Sequence, residues 1–376
     1  MACISKALIV GGGIAGLSAA TALSRAGVQC DVVELSGAYA GGASIGITGR
    51  AADALGELGV YDECFAAATP FPRDSKVAQQ MDAAGNVVAS PPPRPDWPGS
   101  KVGMGVYRSA LLSTLADGAK RAGANIKIGV TAKSIEEQPA GALVHFSDDT
   151  QGHYELVIGA DGINSSVRSM VFPEAPKPAY SGQFSMRWMV EGSPITPEAW
   201  YNSPVGRFGF YNLPNDVTYV AAVFNIPEFR WMDKAEVHAL FTELLDSFTA
   251  PAVVELRRRL TPDADLIARP FEWLLVPNSW HRGRTLLIGD AAHATTAHLG
   301  MGGGMAIEDA VVLGQCIASS ATLGEALTLF MARRYERVRT VVETSLALSQ
   351  LEQRNAPRTE AVGLMKLALA TISESY

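Results

Sequence analysis

Three short runs dominated by apolar residues, ALIV at 7–10, ELVIGA at 155–160 and TLLI at 285–288, punctuate the chain. None alternates as a half-exposed strand does, so each predicts a strand buried on both faces of a parallel sheet. Residues 14–26 lack proline and are rich in Ala and Leu. They predict a helix closed by Gly27, and 29–34 predict the next strand. Residues 37–49 hold glycines at 41, 42, 46 and 49, too many for a regular element, and predict a loop lying against a ligand before a helix over 50–58. Seven prolines between Pro70 and Pro98, among them Pro91, Pro92 and Pro93, predict a rigid connector or an excursion to another domain. A helical pattern resumes over 106–122, with Arg108 at its entrance and Leu111, Leu112 and Leu115 along one side. Residues 126–146 alternate in two pieces around Pro139, Ala140 and Gly141, as a hairpin does.

From 181 to 224 strand patterns follow one another without intervening helices, which predicts a separate antiparallel sheet inserted into the first domain. Further helices are predicted over 235–248, 252–260, 305–319 and most of 325–353, with Arg333, Arg334, Arg337 and Arg339 as an exposed basic cluster. No internal repeat is visible. The expected fold is α/β. A Rossmann-like domain comprises 1–70, 101–175 and 281–376 and includes C-terminal helices. An inserted, mostly antiparallel substrate-binding sheet comprises 71–100 and 176–280.

Each buried run stops at a glycine. After the first, Gly11 permits a tight bend, Gly13 lets a pyrophosphate approach the backbone, and Gly16 lets helix and strand pack closely. Ala15 lies in the same turn, and phosphates would rest on the free N–H groups of the following helix. Glu34 closes the second strand 18 positions after Gly16, where an acid accepts hydrogen bonds from the ribose hydroxyls of an adenosine. The other runs end at Asp161-Gly162 and Gly289-Asp290. Strand ends of a parallel sheet open into one crevice, so all three stops can meet one extended ligand.

Composition narrows the rest. A chain of 376 residues is long enough for two domains or one large one with an insertion, its 48% hydrophobic content supports a sizeable core, and its net charge of -7 argues against nucleic acid as a bulk partner. No apolar run reaches the ~18 residues of a membrane span. Cys3, Cys30, Cys64 and Cys316 show neither CxxC nor metal-ligand spacing, which predicts reduced core thiols in a cytoplasmic protein and no metal site. Lys6 and the apolar run after it mimic a secretory signal, but the glycine cluster interrupts the pattern.

Four motifs then carry a resemblance over almost the whole chain: GGGIAG with Glu34, VYRSALLSTL around Arg108, IGADGINSSVR at 158–168, and LLIGDAAHATTAHLGMGGGMAIEDA at 286–310. They resemble the single-component FAD-dependent aromatic hydroxylases with the p-hydroxybenzoate hydroxylase fold, particularly the salicylate-hydroxylase-like branch. The resemblance implies that Glu34 holds the adenosine ribose and that Arg108 reaches the FAD phosphates or ribityl chain. It implies that Asp161 serves both the FAD pyrophosphate region and nicotinamide-cofactor use, and that Asp290 bonds the ribityl hydroxyls. Gly300, Gly302, Gly303 and Gly304 are implied to bring a helix N-terminus to the flavin ring. The implied reaction uses NADH or NADPH and O2 to hydroxylate a small aromatic substrate through a flavin C4a-hydroperoxide. A non-oxygenating FAD-dependent reductase and a FAD-binding regulator without turnover are the competing readings.

The chain departs from the branch at Ala297, usually proline, Met305, usually glutamine or similar, and Arg50, commonly asparagine, and no basic residue follows Glu34. The candidate acid-base group is His298, in the loop before the glycine turn, with Tyr211 as a second. His293 matches a position that is usually structural in the family. Arg187, Tyr211, Tyr219 and His298 are the expected substrate contacts. Arg187 shares a strand face with Ser185 and Met189, opposite Phe184, Met186 and Trp188, and holds a substrate carboxylate only if that face looks into the pocket. A monomer or homodimer is expected.

Overall fold

The computed structural model describes residues 2–37, 43–71, 79–90, 97–356 and 358–376. Gly41, Gly42, Pro72, Pro91, Pro92, Pro93 and Pro95 lie outside the described residues. The first sheet has six strands in the order His281–Arg282, Thr285–Leu287, Leu156–Gly159, Lys6–Val10, Gln29–Glu34 and Asn125–Ile128. All neighbours are parallel except the first pair. The three apolar runs lie side by side at its centre, and every residue of Leu156–Gly159 and Thr285–Leu287 is buried. Helix Ile14–Arg25 packs on helix Gly302–Ser319 at close range, since a Cβ on Gly314 would stand 3.0 Å from the Ala22 Cβ.

A second sheet of seven strands runs Ile267–Trp273, Ala179–Glu191, Val217–Asn225, Arg207–Leu213, Trp200–Asn202, Gln80–Met81, Val87–Ala89. All its pairs are antiparallel except Trp200–Asn202 with Gln80–Met81. One face carries Phe184, Met186, Trp188, Phe208, Phe210 and Phe224, packed beneath helices Lys234–Asp246 and Pro251–Arg259 in a core of its own. Full burial of each such side chain contributes about 1.5–3 kcal/mol. Seating that face leaves the alternate residues, Ser185, Arg187 and Met189, on the other side. The described part of the proline-rich stretch makes the expected excursion, contributing strands to the inserted sheet. Ala68–Phe71 joins a three-stranded sheet with Ser44–Ile47 and Gly103–Tyr107, and two others join the seven-stranded sheet.

Several element boundaries move. Val106 lies in strand Gly103–Tyr107, and the helix starts at Arg108. Gly105 lies in that strand, and its missing Cβ admits the Tyr211 ring, which a Cβ would meet at 2.5 Å. The 126–146 stretch holds three strands: Asn125–Ile128 belongs to the first sheet, and only Ala132–Gln138 with Gly141–Phe146 forms the hairpin. Ser44–Ile47, within the stretch expected to be a loop, pairs as a strand. The helix expected from Met305 begins at Gly302. A Cβ on Gly303 would stand 2.7 Å from Ile45 Cδ1 and one on Gly304 2.9 Å from Ala51 Cβ, so these glycines serve close packing inside the first helical turn.

The largest correction concerns the basic cluster. Arg334 is 0% and Arg337 7% exposed, because both meet carboxylates on helix Gly302–Ser319. Arg339 is half-buried and pairs with Glu336 of its own helix.

Candidate active site

At the first strand stop Gly11 has φ +110, and a Cβ there would stand 2.3 Å from the Ala160 carbonyl oxygen. A Cβ on Gly16 would stand 1.9 Å from the Gly11 oxygen. Both positions therefore need glycine to close the turn. Gly13 differs: nothing lies within 4 Å of its Cβ position. Helix Ile14–Arg25 starts beside that open space with no side-chain cap and no acid in its first turn, leaving its N–H groups and positive end to a ligand. Glu34 accepts from the Gly12 N–H at 2.6 Å and the Ser36 N–H at 2.7 Å. These fix the carboxylate while each oxygen keeps a further acceptor site. Gly12 was not singled out from the sequence, yet a Cβ there would stand 2.9 Å from the Glu34 Cβ, so its glycine admits the acid.

At the second stop the Asp161 carboxylate turns to its own chain. It accepts from the Ser166 N–H at 2.7 Å, the Ser166 hydroxyl at 2.9 Å and the Val167 N–H at 3.1 Å, and from the Ser165 hydroxyl. Its evident work is to organise the start of helix Ser166–Val171, while Gly162, at φ +78, is open. Buried Arg168 donates to the Ile163 carbonyl at 2.6 Å and the Ala291 carbonyl at 2.9 Å, tying the second stop to the third. Sequence reasoning had given that arginine no task.

At the third stop Gly289, φ +57, abuts Ala15: a Cβ would stand 2.8 Å from the Ala15 Cβ. Asp290 is exposed to solvent at the start of the short helix Asp290–His293. Desolvation raises its pKa, against opposing fields from His293 and Arg108. Arg108 heads its helix, with its N–H donated to the Ala43 carbonyl. Asp309 sits behind. It accepts from the Gly289 N–H at 3.0 Å and from Arg334 Nε at 2.9 Å, and contacts His293 Nε2 at 2.6 Å. Burial alone would raise Asp309, but His293 and Arg334 hold it down to about 2. Helix Gly302–Ser319 also begins without a side-chain cap or a first-turn acid, after Gly300 at φ +65.

The seven-stranded sheet turns its polar face toward this assembly. The Tyr211 hydroxyl donates to Ser44 Oγ at 2.7 Å, Ser44 donates to the Val106 carbonyl at 2.8 Å, and the Tyr211 and Tyr219 rings meet edge to face at 5.2 Å. Met189, Tyr211 and Tyr219 pack with Ala43, Tyr107 and Leu213. Burial raises the pKa of both tyrosines, and Arg187 partly opposes this at Tyr219. Arg187 is half-buried and has no hydrogen-bonding or ion-pair partner among the described residues. The strand's polar face thus looks inward. Arg50 and Met305 point elsewhere: Arg50 stacks on Trp97 and bonds Asp53, and the Met305 carbonyl accepts from Arg334.

His298 is enclosed rather than open to the crevice. Its side chain is 2% exposed, Nδ1 lies 2.9 Å from Thr296 Oγ1, Nε2 lies 3.6 Å from Glu352 Oε2, and its ring meets Phe271 at 5.6 Å. Burial lowers its pKa against the opposing pull of Glu352, so it sits neutral. Its contribution to stability is present above the unfolded value of about 6.5 and is lost as pH falls. Urea midpoints should therefore fall more steeply between pH 7.5 and 5.5 in the wild type than in His298→Gln. Equal slopes would contradict this. A surface cavity of about 350 Å³ between Gly56, Tyr61 and Lys101 includes none of the residues at the three strand stops.

The chain belongs to the FAD binding domain family, whose model matches residues 5–345. It is an FAD-dependent monooxygenase of the aromatic-hydroxylase type. It is 31% identical over 362 residues to the aurachin C monooxygenase/isomerase of Stigmatella aurantiaca, covering 92% of this chain and 89% of that protein. To the FAD-dependent urate hydroxylase of Klebsiella pneumoniae it is 30% identical over 357 residues, covering 90% and 88%. The fold matches a salicylate hydroxylase substrate complex with a TM-score of 0.79 at 19% identity, covering 100% and 99% of the two chains. No helix among the described residues is long and apolar enough to cross a membrane. The residues fit FAD: an open cradle at Gly13, two uncapped helix starts free of acids, and accessible carboxylates at Glu34 and Asp290.

Proposed function

We propose that the enzyme hydroxylates a small aromatic substrate, phenolic or an aromatic acid, with NADH or NADPH as electron donor and O2 as oxygen source. The observation that carries this reading is Arg187, a cation without a protein partner among the described residues, on the sheet face turned toward the FAD site. Bound FAD supplies the hard chemistry, taking electrons from the nicotinamide and activating oxygen for transfer to a ring carbon. Glu34, Arg108, Asp290 and the backbone at Gly11, Gly13, Ala15 and Gly16 would hold it. The start of helix Gly302–Ser319 favours negative charge on the flavin ring.

The chain's remaining tasks are to bind, orient and keep dry. Arg187 grips an anionic substituent as a two-pronged donor. Tyr219, Met189, Leu213 and Tyr107 exclude water from one end. Tyr211 stays protonated at neutral pH because burial raises its pKa. Its hydrogen bonds run through Ser44 to the Val106 carbonyl, which cannot take a proton. Tyr211 therefore orients a substrate hydroxyl rather than deprotonating it. Tyr211→Phe should raise KM for a phenolic substrate by about 5- to 10-fold, the loss of roughly 1 kcal/mol, with the pH profile of kcat unmoved. A lost ionisation in that profile would make Tyr211 the base instead.

The reaction itself is tested with purified enzyme, NADH or NADPH, and candidate phenols and aromatic acids under labelled O2. Substrate-stimulated oxidation with one labelled oxygen in the product supports the hydroxylase. Oxidation that no aromatic compound accelerates favours a reductase or a regulator.

A further inference from the structure

Two arginines stand on the inward face of the seven-stranded sheet in different electrical states. At one level the strands align Arg187, Ala221 and Gly209, with Trp200 beside Gly209. A Cβ on Gly209 would stand 2.5 Å from the Trp200 ring, so the indole lies flat over the glycine. Arg207 lies two residues along the same face from Gly209. Two strand spacings of about 4.8 Å and two residues of about 3.4 Å put the Cα atoms of the two arginines about 12 Å apart. Two arginine side chains can bracket one aromatic ring across that span.

Arg187 has no acceptor among the described residues. Arg207 is matched: its Nε lies 2.8 Å from Glu352 Oε2, and its guanidinium lies 4.8 Å from the Trp200 ring centroid. Glu352 comes from the last turn of helix Leu323–Gln353. That end is fastened to the sheet by Gln353 donating to the Ser181 carbonyl at 2.8 Å and by the Ser349 hydroxyl donating to Gln183 Oε1. The carboxylate is thus delivered to Arg207 by the fold rather than by a mobile surface side chain. A half-buried ion pair of this kind is a weak source of stability, but it decides how many positive charges the face offers.

We propose that Glu352 masks Arg207, so that the site presents one anion-gripping arginine, Arg187, and prefers aromatic mono-anions to dianions. This rests on the placement of the substrate on this face argued above. Removing the carboxylate charge while keeping the side chain's size and shape unmasks a second positive end and favours a ligand with a carboxylate at each end.

Calorimetric titration of the FAD-loaded protein with benzoate, terephthalate and phenol tests it. The wild type should bind benzoate more tightly than terephthalate. Glu352→Gln should shift the ratio about 10-fold toward terephthalate, and Glu352→Gln combined with Arg207→Met should restore it. Arg187→Met should weaken benzoate about 10-fold and leave phenol unchanged. An unaltered ratio in Glu352→Gln, full benzoate affinity in Arg187→Met, or no binding of benzoate at millimolar concentration overturns the proposal. These are binding constants, so they stand apart from turnover. The predicted ratios without any oxygenated product from any aromatic compound would defeat the proposed reaction and leave the masking intact.

Discussion

Arg334→Met should lower the free energy of unfolding by about 3–5 kcal/mol, the cost of leaving buried charges without their partner. Arg334 is fully buried, and its guanidinium serves both Glu308, at 2.8 Å, and Asp309, at 2.9 Å. Arg337 shares Glu308, also at 2.8 Å, and donates to the Thr371 carbonyl at 2.8 Å, which fastens the last helix to the same network. Met fills a similar volume, so the loss is electrostatic rather than a cavity. The effect should also reach the crevice, because Asp309 fixes the Gly289 N–H that sets the turn at Asp290. Chemical denaturation measures the first effect and FAD titration the second. Since Asp309 is held down to about 2, its contribution is present above the unfolded carboxylate value of about 3.9 and disappears as pH falls through 2. A variant within 1 kcal/mol of the wild type would show that the pairs are replaceable.

The three strand stops were legible because their glycines answer to backbone geometry within a few residues. Gly11 and Gly16 are required by oxygens that a strand-turn-helix inevitably brings near. The α/β class and the inserted antiparallel sheet followed from the same local periodicities. What stayed hidden depended on partners far along the chain. A helical period cannot tell an exposed arginine from one matched by acids 25 and 26 residues earlier, and so Arg334 was read as surface. His298 looked open to the flavin because Glu352 and Phe271, which enclose it, belong to other elements. The resemblance gives Asp161 to the pyrophosphate region, although Ser165 and Ser166 just after it carry the hydroxyls typical of a helix start and donate to it. That local signal was available. Gly12 and Gly105 had none, since only the fold reveals that Glu34 and Tyr211 lie against them.

The second large effect concerns Gly13. Its backbone, at φ -81 and ψ -169, suits any residue, and its Cβ position is free of protein atoms. Gly13→Val should therefore leave the fold intact while its side chain occupies the space facing the uncapped helix start. Charge-assisted hydrogen bonds from that start to phosphate are worth about 1.5–3 kcal/mol each. Losing two costs about 3 kcal/mol or more, on the order of 100-fold in affinity or greater. The most direct trial is to titrate FAD into Gly13→Val and wild-type protein stripped of cofactor, and to melt both before FAD is added. The result expected is matched melting temperatures with FAD affinity lower by 100-fold or more in the variant. Equal FAD affinity in the two proteins would contradict the placement of the cofactor at the junction of these strand ends.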